Sequence, residues 1–84
     1  MITYLALMAI YKTPVIPLSE VCERYFSLSY EEALKKAARN ELPVPTFRLT
    51  NSRKAPYLIS AEALGDWIDK QEAEAKVLWQ RSQV

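Results

Sequence analysis

The sequence predicts a small α+β fold of three helices and a β-hairpin, preceded by an N-terminal strand or hairpin. Three observations predict it. Two short apolar-periodic segments with helix-start signals lie within residues 19–40. A proline-bounded pair of alternating segments follows at 46–59, and a long amphipathic stretch closes the chain from residue 61. The 84 residues make one domain, 1–84, with 70–84 read as an extension of the last helix.

The first eleven residues, MITYLALMAIY, are almost wholly apolar. The run is about half the ~20 residues a bilayer span needs. It lacks the basic flank and small-residue cleavage site of an export signal. It therefore reads as a buried element, and periodicity does not separate strand from helix. Tyr4, Ile10 and Tyr11 favour a strand and Leu5–Ala9 a helix. The Lys12–Thr13–Pro14 break before β-branched Val15–Ile16 tips the reading toward a strand and hairpin.

Ser19 is the expected N-cap of the first predicted helix, with Glu20 where the helix dipole favours an acid. Val21, Cys22, Tyr25 and Phe26 form its apolar face. After a short break, Ser29-Tyr30-Glu31-Glu32 is a capping box that opens a second helix, about Tyr30 to Asn40. Pro43 and Pro45 forbid its continuation. Two short helices joined by about three residues read as a helix-turn-helix. On the second helix Tyr30, Ala33, Leu34 and Ala37 share one side. At ~100° per residue Lys35, Lys36 and Arg39 fall on the other.

Thr46–Leu49 alternates as a half-buried strand does, Thr50–Ser52 is a turn cluster, and Pro56–Ile59 is a return strand with proline at its first position. Arg53 and Lys54 sit at the hairpin tip. Helix, helix and basic-tipped hairpin is the order of a winged helix-turn-helix. Ser60 is the next N-cap candidate. Behind it Leu64, Trp67, Ile68, Gln71, Ala75 and Leu78 form one helical stripe, supported by the i, i+4 pairs Asp66–Lys70 and Glu72–Lys76. The expected core is Val21, Tyr25, Phe26, Leu34, Ala37, Phe47, Leu49, Leu58, Leu64, Trp67 and Ile68, with Cys22 buried beside it.

Composition narrows the function. There is no His, one Cys and one Gly. That excludes His-based nucleophile pairs, Cys-rich zinc sites, an internal disulfide and Gly-rich phosphate loops. No catalytic residues, metal or cofactor are expected, and a binding protein of the cytoplasm is the reading. The net charge of +1 conceals a pattern. Residues 1–34 carry two basic and four acidic side chains, and residues 57–84 three and five. Residues 35–56 hold Lys35, Lys36, Arg39, Arg48, Arg53 and Lys54 against Glu41 alone. This basic block coincides with the second helix and the hairpin, the parts of such a fold that face DNA. The expected DNA-binding residues are Lys35, Lys36, Arg39, Asn40, Arg48, Asn51, Ser52, Arg53 and Lys54. Arg39 is expected at a base edge, Lys35 and Lys36 on phosphates, and the hairpin tip in a minor groove.

The stretches Val15–Phe26 and Lys35–Arg48, with the opening TYLALMAIY and the closing Leu64–Gln71, resemble the pyocin-activator family of phage and prophage regulators. The resemblance extends, more distantly, to excisionase and MerR-like winged helix-turn-helix proteins. It implies a DNA-binding regulator without catalysis, acting on double-stranded DNA at phage-derived genes. Its alternative is a recombination directionality factor that bends attachment-site DNA for an integrase. RNA polymerase or an integrase is the implied protein partner, with no membrane. A second alternative, from the residues alone, is a protein-interaction module such as an antirepressor, active through the last helix. One copy has a single reading helix, so self-association on DNA is expected. Head-to-tail contacts between the acidic ends and the basic block would suit direct repeats. A symmetric dimer through Val77, Leu78 and Trp79 is the competing arrangement.

Overall fold

A computed structural model describes residues 2–52 and 54–83. It is α+β, with four helices and a two-stranded antiparallel sheet. In chain order these are α1 (Ile2–Tyr11), β1 (Val15–Pro17), α2 (Leu18–Phe26), α3 (Tyr30–Ala38), β2 (Leu58–Ser60) and α4 (Ala61–Ser82).

The N-terminal run is a helix, not the expected strand or hairpin. Helix satisfies its backbone internally, whereas a strand there would need a further sheet edge. Leu5 to Ala9 are mostly good helix formers, and a partner face is available on α4. Gly65 makes that face. A Cβ built on it would lie 3.2 Å from the Tyr4 backbone nitrogen and 3.3 Å from its Cα. The Thr3 hydroxyl donates to the Asp69 carboxylate across the same contact. Leu7 is buried between the two helices and the core.

Lys12 ends α1 with φ 59°, and Ser27 ends α2 with φ 56°. Left-handed residues close helices well, but a non-glycine there costs about 1–2 kcal/mol. α2 begins two residues earlier than the sequence suggests. Its N-cap is Pro17, which makes no side-chain cap bond, so Ser19 is not the cap. The cause is tertiary: the Leu18 amide donates to the Tyr57 carbonyl at 2.9 Å, and the Leu18 side chain is buried. Ser29 caps α3 as expected, its Oγ accepting from the Glu32 amide at 3.3 Å, while the Glu32 carboxylate reaches back to accept from the Ser29 hydroxyl at 3.2 Å. Ser60 caps α4 by accepting from the Ala63 amide.

β1 pairs with β2 in the register Val15–Ser60, Ile16–Ile59 and Pro17–Leu58. The expected hairpin over 46–59 is reduced to one bridge, in which Phe47 and Leu58 exchange both backbone bonds at 3.0 and 2.8 Å. Proline explains the truncation. In that antiparallel register the next bonding pairs would be Leu49–Pro56 and Pro45–Ser60, and neither proline has an N–H to give.

The core comprises Leu7, Ile16, Leu18, Val21, Cys22, Ala33, Ala37, Val44, Ile59, Ala61 and Leu64, with Leu58 at its margin. Tyr25, Phe26, Trp67 and Ile68 pack around it half-buried, and Phe26 meets Trp67 edge-on at 5.2 Å between centroids. Three expected core residues are outside: Leu49 is 74% exposed, Phe47 38%, and Leu34 is half-buried but lies apart from the core cluster, facing an open cleft. The single bridge carries the alternation no further than Phe47. Among the described residues the only ion pair is Arg39–Glu41, so the helical pairs Asp66–Lys70 and Glu72–Lys76 are not closed. From Gln71 to Gln83 every residue of the last helix and its cap is exposed. Among the described residues no helix is long and apolar enough to cross a membrane.

Candidate nucleic-acid interface

The second helix of the pair, α3, is held by its small face. Ala33 and Ala37 are buried against the core, which lets the helix approach α2 closely. Its charges follow the helix dipole, with Glu31 and Glu32 in the first turn and Lys35 and Lys36 in the last. At ~100° per residue, Lys35 points most directly away from Ala33 and Ala37, and it is exposed. Lys36 turns toward the opposite edge. It is half-buried beside Tyr25, Phe26, Leu28, Leu42 and Trp67, lining a depression of about 270 Å³. Glu41 lines the same depression, and a lysine stem covers apolar surface of this kind at little cost.

Arg39 is the C-cap rather than a member of the helix. It is exposed, and its guanidinium lies 3.9 Å from the Glu41 carboxylate. An exposed pair of this kind is worth well under about 1 kcal/mol, so it leaves Arg39 available. Asn40 follows with φ 56°, the left-handed residue that turns the chain out of the helix. Its position is a backbone role, and its side chain borders a cleft with Leu42, Pro43, Val44, Pro45 and Thr46.

The segment after α3 returns along the other side of the helix. Arg48 is exposed, with its guanidinium carbon 4.2 Å from the centre of the Tyr57 ring. That cation–π contact holds the side chain without neutralising it. Local bonds tie Thr50, Ser52, Lys54 and Ala55 together. The Ser52 amide donates to Thr50 Oγ1, the Lys54 amide to Ser52 Oγ at 3.2 Å, and the Ala55 amide to the Ser52 carbonyl at 3.1 Å. Ser52 thus shapes the turn, and Asn51 is exposed beside it. Arg53 lies outside the described residues.

An open cleft of about 360 Å³ runs between α3 and this segment. Tyr30, Leu34 and Ala38 form one wall, and Arg48, Lys54, Ala55, Pro56 and Tyr57 the other. Its described lining holds two cations and no carboxylate. The structure therefore gathers Arg48 and Lys54 at the cleft, with Lys35 on the neighbouring exposed face of α3. It turns Lys36 to the far side and gives Asn40 and Ser52 backbone roles. Two residues were missed from sequence. Tyr30 counts as apolar-face by spacing, but it sits in the first turn, beyond the core, and is 42% exposed. Tyr57 reads as strand packing, and its ring serves as the platform for Arg48. An aromatic nine residues from an arginine across a predicted hairpin was the available signal.

Among known proteins, the family model described as pyocin activator protein PrtN matches residues 3–75. No curated protein and no solved structure matches the chain.

Proposed function

Because the chain belongs to the pyocin activator protein PrtN family, a family of phage-related transcription regulators rather than enzymes, we propose that it acts by binding double-stranded DNA as a winged helix-turn-helix. α2 and α3 are the helix pair in this reading, and residues 46–58 are a short wing. The observation that carries it is the cleft between α3 and that segment, where the central basic block supplies Arg48 and Lys54 with no opposing carboxylate in the described lining.

The charge distribution along α3 sets the docking. Glu31 and Glu32 make the first turn repulsive to phosphate. The last turn, with Lys35 and then Arg39, is the part that meets DNA, together with the wing. Arg39 is the base-reading candidate because its planar fork bonds guanine bidentately, worth about 1–3 kcal/mol of discrimination. Lys35, Arg48 and Lys54 take phosphate. Lys54 takes its phosphate along a narrow A·T-rich minor groove, whose potential attracts such a cation, and by sequence Arg53 is proposed to join it there. Lys36 contributes only at the margin, since its stem is committed to the depression beside Trp67.

Footprinting across the gene's own genomic neighbourhood tests the reading. Protection just upstream of a promoter, lost in Lys35→Ala/Arg48→Ala, is the expected result. Protection of an integrase attachment site instead would assign the same surface to excision. No salt-sensitive duplex binding at all would refute the proposal and return the chain to a protein-interaction role.

A further inference from the structure

α4 is 22 residues long, about 33 Å, and only its first half is used by the fold. Leu64 is buried and Ile68 half-buried, while Gln71, Ala75, Leu78 and Ser82 are exposed. These six positions keep an alternating spacing of four and three residues, the a/d pattern of a coiled-coil seam. The seam that docks α4 on the core thus continues for about three more turns with nothing on it. Leu78 is 65% exposed, and Trp79, on the flank of the seam, 62%. A bare helical arm of about a dozen residues is marginal in water, so a partner helix would stabilise it.

The flanking charges select the partner. Glu74 and Arg81 occupy equivalent flanking positions one heptad apart. When two copies of the arm run antiparallel with Ala75 of each against Leu78 of the other, Gln71 meets Ser82. Glu74 of each copy then flanks Arg81 of the other. The two-fold axis makes this contact twice. A parallel pair would instead set Glu74 beside Trp79 of the other copy, where it meets no opposite charge.

We propose that the free half of α4 is a self-association surface, on which a second copy of this chain pairs antiparallel through Gln71, Ala75, Leu78 and Ser82, with Glu74–Arg81 contacts between copies. The seam is short, so the dimer falls at the weak end of specific interfaces, on the order of micromolar or weaker in dissociation constant. The proposal does not rest on DNA binding, and its test contains no DNA.

Sedimentation equilibrium of the wild-type chain, Glu74→Arg, Arg81→Glu and the double variant, at concentrations up to about 1 mM, provides the test. Circular dichroism confirms that each remains folded. The wild type should approach a dimer mass. Each single reversal replaces two opposite-charge contacts by two like-charge ones and should weaken dimerisation about 10-fold. The double variant should recover to within about 3-fold of wild type. Seven residues separate the two positions, about 10.5 Å along one helix, so they cannot pair within a chain and recovery reports contact between chains. A wild type that stays monomeric, including one that associates only head-to-tail on DNA, overturns the proposal. So does a dimer indifferent to the single reversals, or a double variant no better than either single.

Discussion

Replacing Gly65 tests whether α1 is part of the fold or an appendage. The Cβ of Gly65→Ala would lie 3.2 and 3.3 Å from Tyr4 backbone atoms, closer than ordinary van der Waals contact. Alanine gains about 1 kcal/mol of helix propensity over glycine, and α1 must retreat by a few tenths of an ångström to admit it. These effects oppose one another, so Gly65→Ala should change stability by less than about 1 kcal/mol. Gly65→Leu offers no such balance, because its branched side chain would occupy the space of the Tyr4 backbone. α1 must then lift away and expose Leu7, which is only 3% accessible, with parts of Tyr4 and Met8. Full burial of one leucine is worth about 1.5–3 kcal/mol, and the partial contacts add to it. The expected loss is about 3–4 kcal/mol, a large part of the ~4–13 kcal/mol typical of a chain this size. Urea unfolding followed by circular dichroism measures the loss, and amide exchange in residues 2–11 locates it. A Gly65→Leu variant with wild-type midpoint and wild-type protection in α1 would refute the packing argument.

Three further outcomes follow from the same geometry. Arg48→Ala/Lys54→Ala should weaken duplex binding and flatten its log–log salt dependence by about 1–2, read by fluorescence anisotropy between low and moderate salt; an unchanged slope would make the wing structural only. Ser27→Gly should stabilise the fold by about 0.5–1 kcal/mol, raising the melting temperature by several degrees, because Ser27 holds φ 56° at the end of α2. Burial, and then the hydrogen bond with Tyr25, pushes the Tyr11 phenol above its ordinary value, against the opposing charge of Arg24. Its contribution is thus complete below pH ~10 and lost as pH rises through the folded value, so Tyr11→Phe should blunt the alkaline fall in stability seen by urea titration above that pH.

What could be read from the sequence was what local chemistry decides. The Ser29–Glu32 capping box and the Ser60 cap involve residues three apart, so sequence spacing contains their geometry. The apolar faces of α2 and the first half of α4, and Ala33 and Ala37 on α3, follow from helical period in the same way. α1 was not legible because an apolar run of ten residues satisfies both periods. Its choice rests on Gly65, more than fifty residues away, which opens a groove for a helix. The start of α2 was displaced for a similar reason: the Leu18 amide has a partner in Tyr57, far along the chain. Leu49 was placed inside by extending an alternation that Pro56 cuts short. Of the candidate interface, the formal charges of 35–56 were plain. Which of them share a surface was not: Lys36 faces Trp67, while Arg48 is steered by Tyr57 toward the cleft.

The join between the cleft and α4 links the two proposed surfaces mechanically. Leu58 pairs with Phe47 on one side and Pro17 on the other, and Ser60, two residues on, is already the cap of α4. The Ala61 amide also donates to the Pro14 carbonyl at 2.9 Å, which fixes the first turn of α4 to the strand opposite. Among the described residues, Tyr57 to Ala61 are thus tied to neighbouring segments on the path from the cleft to the arm. The orientation of one is therefore set by the other. Under the DNA-binding reading, an antiparallel pair of arms would hold two clefts related by a two-fold axis, at a separation fixed by helix length. Such a pair demands inverted half-sites at constant spacing, whereas head-to-tail copies would follow direct repeats. Inserting three or four residues in α4 between Lys70 and Gln71 would rotate and lengthen the connection by about one turn while leaving cleft and seam intact. Gel-shift titration on sites of varied spacing should then show the preferred spacing move. A spacing preference unchanged by the insertion would show that the arms do not set the distance between bound copies.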